Sequence, residues 1–362
     1  MDWISLTLIT AFMTGFLGTW CVRRYALERS LLDVPNERSS HSIATPRGGG
    51  LSVSIAVITG VVILYVIGQL PEVVLIALLP SCMFVAVIGW IDDHRALPAV
   101  VRGTAYLMAA AWFVGCSGVM PEIPLGILKV LGSSIEKTKS LPFEISKQIE
   151  IPKVMIGIVL TLGIAWLTNL YNFMDGTDGL AGLQAVLAGA AGGWLLWEGG
   201  DHGLAMLAWI TAASCVGFLI WNWAPAKIFM GDVGSCLLGF VFGCLSVLGE
   251  MHVRLPALLW VILLGYFIWD ATLTLLLRIF SGERWYEAHK SHAYQRLVQM
   301  GLGHGQLAGL FFIFNLLVLW PLTLWGYLEP AALLWALLLS IFAVALVWGV
   351  VQWRFRQLQR IG

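Results

Sequence analysis

Charge is what this chain has least of. Only 12% of its 362 residues are Asp, Glu, Lys or Arg, against about a quarter in soluble globular domains. The 21 basic and 21 acidic residues cancel, so nucleic acid or another bulk polyanion is not an expected partner and any polar function has to be local. Cysteine is scarce as well. Cys21, Cys82, Cys116, Cys215, Cys236 and Cys244 all lie in or beside apolar stretches with no Cys-x-x-Cys pair. That pattern argues against a disulfide framework or a thiolate metal site and for small buried packing residues. No period of 20–50 residues repeats, which removes solenoid and inverted-repeat architectures. The apolar start carries Asp2 instead of a basic leader region, with no small-x-small cleavage site before Arg23. It is expected to be a retained helix.

Apolar sequence fills the space that charge leaves. Hydrophobic residues make up 59% of the chain and the mean hydropathy is +0.84. Crossing a bilayer takes about 20 mostly apolar residues. Such stretches occur at 3–22, 48–69, 73–91, 102–120, 154–174, 179–197, 203–221, 233–250, 256–279, 306–327 and 331–353. The expected fold class is therefore an all-α polytopic membrane protein, a single domain over 1–362. It has about eleven transmembrane helices, or ten if one short Gly or Pro break is bridged. Eighteen tryptophans, several near stretch ends (Trp20, Trp90, Trp221, Trp223, Trp353), fit an interfacial aromatic belt.

Lys and Arg set the orientation. Fifteen of the 21 fall in one alternating set of loops plus the C-terminal tail. By the positive-inside rule that set is cytoplasmic, the N-terminus outside and the C-terminus inside. The segment 121–153 then lies outside, where partial alternation around Gly132-Ser133-Ser134 points to a small β-hairpin or an amphipathic interfacial loop. The segment 281–305 becomes a cytoplasmic basic loop.

With this topology Asp92, Asp93, Asp175, Asp178 and Asp232 all reach the cytoplasmic face. Ionisable groups beside a membrane segment are costly, and by default they mark function. Asp92, Asp93 and Asp175 end helices whose dipoles already present partial negative charge there, so a cation is wanted. Oxygen-only ligands select Mg²⁺, with Mn²⁺ as the alternative. Asn169, Asn172 and Asp175 recur every three residues and so share a helix face. They line a ligand site or, alternatively, hydrogen-bond between helices. Asp232 opens a helix and taken alone is equally well a cap. His289, Lys290 and His292 sit in a basic loop suited to phosphate, or in one that is merely solvated. Arg47 before Gly48-Gly49-Gly50 permits close backbone approach, weak evidence for a phosphate cradle. His94, His202, His252 and His304 carry no signal, and Asp270 inside a helix needs a partner that the sequence does not name.

These residues resemble a known family. Asp33-Val34-Pro35-Asn36-Glu37-Arg38-Ser39-Ser40-His41, Ile91-Asp92-Asp93, Asn169–Gly182, Lys227-Ile228-Phe229-Met230-Gly231-Asp232-Val233-Gly234-Ser235 and Asp270 occur in family order. They are similar to motifs of the polyprenyl-phosphate N-acetylhexosamine-1-phosphate transferase superfamily (WecA/MraY-like, glycosyltransferase family 4). The resemblance implies transfer of an N-acetylated amino-sugar-1-phosphate from a UDP-sugar to undecaprenyl phosphate, with release of UMP. It implies Mg²⁺ dependence and a cytoplasm-facing site in the bacterial inner membrane. Asp92, Asp93 and Asp232 match catalytic positions, and Asp232, Asn172 and Asp175 match the metal and nucleotide positions. Asn36, Arg38, His41, Arg47, Asn169, Asn172, Asp175, Asp178, Lys227, His289, Lys290 and His292 are the expected substrate-binding set. The sparse form His289-Lys290-Ser291-His292 looks more like the WbpL-type branch, which starts O-antigen or related surface glycans. A homodimer is compatible with the resemblance. The alternatives are a polytopic lipid-linked sugar transporter or flippase, which would place its polar site near the midplane, a scaffold for glycan assembly, or the phospho-MurNAc-pentapeptide transferase of peptidoglycan synthesis.

Overall fold

The computed structural model describes residues 3–33, 44–118, 153–283 and 289–361. Every apolar stretch within them forms a helix. In chain order these are α1 (Trp3–Glu28), α2 (Leu51–Val66), α3 (Glu72–His94), α4 (Ala99–Cys116), α5 (Lys153–Phe173), α6 (Leu180–Glu198), α7 (His202–Asn222) and α8 (Asp232–Val253). They continue with α9 (Ala257–Leu263), α10 (Gly265–Phe280), the short α11 (Ala293–Gln299), α12 (His304–Phe314), α13 (Trp320–Leu328) and α14 (Leu333–Ile361). A π-helical turn at Asn315–Leu319 joins α12 to α13 into one span. Strands β1 (Leu32–Asp33) and β2 (Thr45–Pro46) pair antiparallel. The expected hairpin at 121–153 falls, but for Lys153 at the start of α5, outside the described residues.

Of the two expected counts, eleven and ten, the described residues support the lower. Among the described residues nine helices are long and apolar enough to cross a membrane, and α9 with α10 makes a tenth, bent by 79°. The stretch expected at 48–69 gives a helix of only 16 residues, about 24 Å against a hydrocarbon core of about 30 Å. Its ends are used otherwise. Gly49 and Gly50 donate backbone hydrogen bonds to Phe229 and Met230 (2.9 and 2.8 Å), and Gly68 turns the chain with φ of +73°. At the bend between α9 and α10, the carbonyl of Leu263 accepts from Gln184 Nε2 at 3.0 Å, a side-chain partner for a carbonyl at a helix break.

Helix α8 is the axis of the bundle. It is almost wholly buried, with α3 and α5 packed along it. Small residues allow that closeness, as expected where van der Waals packing drives helix association. A Cβ on Gly50 would come within 2.5 Å of Gly234 Cα, so the start of α2 and the start of α8 meet backbone to backbone.

Candidate active site

The polar groups collect at one end of the bundle, where the C-terminal ends of α3 and α5 meet the N-terminal ends of α4 and α8. Asp92 and Asp93 lie in the last turn of α3. Adjacent residues on a helix point about 100° apart, and these two do different work. Asp93 reaches across to α8, where its carboxylate accepts from the backbone N–H groups of Asp232 (2.9 Å) and Val233 (3.1 Å). It also pairs with Arg47 Nε at 2.8 Å. A carboxylate at a helix N-terminus satisfies free N–H groups and complements the dipole. Gly231 makes room for it. Its φ is +76°, and a Cβ there would overlap the Asp93 carboxylate.

Asp93 does the capping, so Asp232 is released from it. Asp232 is the first residue of α8, after Gly231 at the N-cap, and its side chain turns to side-chain partners. One oxygen meets the Arg47 guanidinium. The other receives Arg102 Nη1 at 3.3 Å and Asn172 Nδ2 at 3.0 Å. Arg102 Nη1 also donates to Asp92 at 2.9 Å, and the Leu97 backbone N–H donates to the other Asp92 oxygen. Asn172 is itself fixed by Ser235 Oγ, which donates to its Oδ1 at 2.8 Å. Two arginines therefore bracket an almost fully buried carboxylate, whose side chain is 4% exposed. Buried charge persists only when paired and hydrogen-bonded in this way. Burial of Arg47 works against its charge, but Asp93 and Asp232 outweigh it and raise its pKa above the ordinary arginine value.

Helix α5 ends at Phe173, and the Asp175 N–H bonds the Asn172 carbonyl at 3.1 Å in the turn that follows. Asp175 faces the same cluster. Among the described residues its carboxyl has no hydrogen-bond or ion-pair partner, and desolvation pushes its pKa well up, with Arg47 opposing. Asn169 lies one turn earlier on α5, half-buried. Beyond Asp175 the wall is α11. Tyr294 Oη donates to the Phe173 carbonyl at 2.9 Å.

Several expected residues stand elsewhere. Asp178 turns to the neighbouring loop, accepting from the Ala226 N–H at 3.0 Å and lying 3.2 Å from His304 Nδ1. His304 carries no signal in the sequence. Lys227 is exposed, its ammonium 5.6 Å from the centre of the Trp221 ring. The rings of His289 and His292 lie tilted at 33° with centres 4.8 Å apart. Burial, with His292 and Arg278 nearby, lowers the His289 pKa to about 3. Asp270, whose partner the sequence did not name, accepts from the backbone N–H groups of Ala293 (2.9 Å) and Tyr294 (3.3 Å). It thereby caps α11 and holds the His289–Arg296 segment against the bundle. Lys290 is half-buried beside it, its carbonyl accepting from Gln299. Asn36, Arg38 and His41 lie outside the described residues. Arg102 and Ser235 are the site members that the sequence did not single out. The available signal was a lone arginine in the first turn of an otherwise apolar helix.

The donor chemistry fits a hard cation. No three His, Cys, Asp or Glu side chains surround one point among the described residues. Mg²⁺, however, is commonly held by one or two carboxylates together with substrate phosphate and water. Asp175, with no hydrogen-bond partner among the described residues, and Asp232 are the two carboxylates that could serve. Asn172 turns its amide nitrogen toward Asp232, so in this arrangement it orients that carboxylate.

Known proteins resemble this chain along most of its length. The family model described as glycosyl transferase family 4 matches residues 74–250, from α3 to the end of α8. The chain is 29% identical over 361 residues to the probable undecaprenyl-phosphate N-acetylglucosaminyl 1-phosphate transferase of Bacillus subtilis, covering 98% of this chain and 94% of the relative. It is 28% identical to the decaprenyl-phosphate N-acetylglucosaminephosphotransferase of Mycobacterium leprae, over 86% of this chain and 79% of that one. It is 27% identical to the undecaprenyl-phosphate alpha-N-acetylglucosaminyl 1-phosphate transferase of Escherichia coli K12, over 82% and 77%. The family model, relatives along most of the length and the polytopic helical fold point the same way: this chain is similar to the polyprenyl-phosphate N-acetylhexosamine-1-phosphate transferases.

Proposed function

We propose that the protein transfers an N-acetylated amino-sugar-1-phosphate from a UDP-sugar to undecaprenyl phosphate. The products are a polyprenyl-diphosphate-linked sugar and UMP, at the cytoplasmic face of a bacterial inner membrane. An oxygen of the acceptor phosphate forms a bond to the β-phosphorus of the donor, and the bond from that phosphorus to the bridging oxygen breaks, so UMP carries the electron pair away. The observation that carries this reading is Asp232, bracketed by Arg47 and Arg102 beside Asp175, whose carboxyl has no partner among the described residues.

Two phosphorylated substrates repel each other. Fixed guanidinium groups lower that repulsion and hold phosphates in line without reorganising during the step. Arg47 and Arg102 are placed to do so, and Asp93 and Asp92 hold them by charge-assisted hydrogen bonds. When bound at Asp175 and Asp232, Mg²⁺ supplies charge neutralisation on the transferred phosphate. The acceptor phosphate is already ionised at neutral pH, so no strong general base is required. Asp92 acts by positioning Arg102.

The names of the relatives make UDP-N-acetylglucosamine the first donor to test. The sparse histidine motif keeps UDP-N-acetylfucosamine and related sugars on the panel, with initiation of O-antigen or another surface polysaccharide as the cellular role. Purified protein supplied with undecaprenyl phosphate, Mg²⁺ and each donor should release UMP with at least one of them. If none gives UMP, the transferase reading fails.

A further inference from the structure

The last helix is longer than the membrane requires. Helix α14 has 29 residues, about 43 Å, against about 30 Å of hydrocarbon. Its apolar stretch closes at Trp353, and Arg354, Arg356 and Arg360 follow, all exposed. Residues 331–362 contain no Asp or Glu. None of the three arginines has an acidic partner among the described residues. At 100° per residue Trp353 and Arg360 lie within about 20° of each other and Arg354 about 100° to one side, while Arg356 lies about 40° from Gln352 and near Arg296. Trp353 is 63% exposed and Leu358 50%. An exposed tryptophan at the end of an apolar stretch, followed by unpaired arginines, matches the level of phospholipid headgroups.

The inner face of the same turn and a half touches the site. Gln352 Nε2 donates to the Ser291 carbonyl at 3.0 Å, and the Arg296 guanidinium lies 4.8 Å from the centre of the Phe355 ring. Ser291 and Arg296 belong to the segment that Asp270 caps and Tyr294 ties to α5. One stretch of helix thus faces lipid outward and holds the histidine-bearing segment inward.

We propose that the basic end of α14 binds the headgroups of anionic glycerophospholipids and braces the His289–Arg296 segment from that side. Charge complementarity selects the occupant. Clustered basic residues next to a membrane helix favour anionic over zwitterionic lipid by about 1 kcal/mol each, about fivefold per arginine. A site of this kind does not depend on the transferase reading, because its binding is measured without turnover.

The full-length protein, purified in detergent, is mixed with equal amounts of phosphatidylglycerol and phosphatidylcholine, and the retained lipid is quantified by mass spectrometry. The wild type should retain phosphatidylglycerol preferentially. The triple variant Arg354→Gln, Arg356→Gln, Arg360→Gln should lose most of that preference, and the triple Lys variant should keep it. Hydrogen exchange of amides 289–296 should slow when phosphatidylglycerol is added to the wild type and not respond in the Gln variant. Equal retention of the two lipids by the wild type, or an unchanged preference in the Gln variant, would overturn the proposal. So would displacement of bound phosphatidylglycerol by equimolar undecaprenyl phosphate, which would assign the arginines to the acceptor.

Discussion

Asp92 and Asp93 show how little a residue type says about its duty. The same carboxylate, one position apart, caps a foreign helix in one case and restrains an arginine in the other. Asp232, equally well a cap by sequence, is held instead by Arg47, Arg102 and Asn172, and the proposed function gives it a part in the reaction. Asp232→Asn should therefore lower turnover by about 10²–10³-fold, the scale of removing a fixed electrostatic group, while the variant still elutes as a folded protein. Activity close to wild type would return Asp232 to a structural role. His289 provides a pH signature. Burial beside His292, Arg278 and Arg296 lowers its folded pKa to about 3 from the usual 6.5, with Asp270 opposing. Between those values the unfolded chain binds a proton that the folded one refuses, so stability falls as pH drops below about 6.5. His289→Gln should flatten that slope in thermal melts of the detergent-solubilised protein between pH 7 and 5. An unchanged slope would remove His289 as its source.

At the scale of elements, the site is built from helix ends. Asp270 illustrates it: a buried carboxylate in α10 supplies the cap that α11, seven residues long, cannot supply for itself. Asp270→Ala should leave the spans intact and free the Ala293 and Tyr294 amides, whose exchange with solvent deuterium should accelerate well beyond that of α8. Equal exchange would mean that Tyr294 and Gln352 suffice to hold the segment. Much of this level was legible beforehand. Hydropathy located the helices because the bilayer imposes one length and one polarity on each. The shortness of α2 was not legible, since Gly48–Gly50 reads as apolar in composition while its backbone pairs with Phe229 and Met230. The grouping of Asp92, Asp93, Asn172, Asp175 and Asp232 followed from topology alone. Which carboxylate pairs with which arginine did not, because that depends on the rotation of each helix about its axis. Asp178 lies in the loop past the end of α5, where no helix face fixes its direction, and it turns toward Ala226 and His304.

Across the whole molecule, the contacts sort the helix ends into two opposite groups. Arg23, Arg47, Asp92, Arg102, Asn172, Lys227 and Asp232 are linked at one end. Asp201 and His252 pair at the other, 2.7 Å apart beside Gln69. Single cysteines at Ser281 and Gln69, placed in a variant lacking the native six, should therefore label from opposite sides of the membrane. Ser281 should react from the cytoplasm. Labelling of both from one side would break the orientation drawn from the Lys and Arg bias, and the convergence of the site with it.

The hydrogen bond from Gln352 to the Ser291 carbonyl bears on how the protein comes into being. The ribosome delivers Arg47 early and Asp232 two thirds of the way through synthesis, so the charged cluster can assemble once α8 has entered the bilayer. The segment that walls it can be held by Asp270 and Tyr294 as soon as it emerges, but its bond from Gln352 forms only when the final helix inserts. The last helix therefore completes a wall that earlier elements have begun.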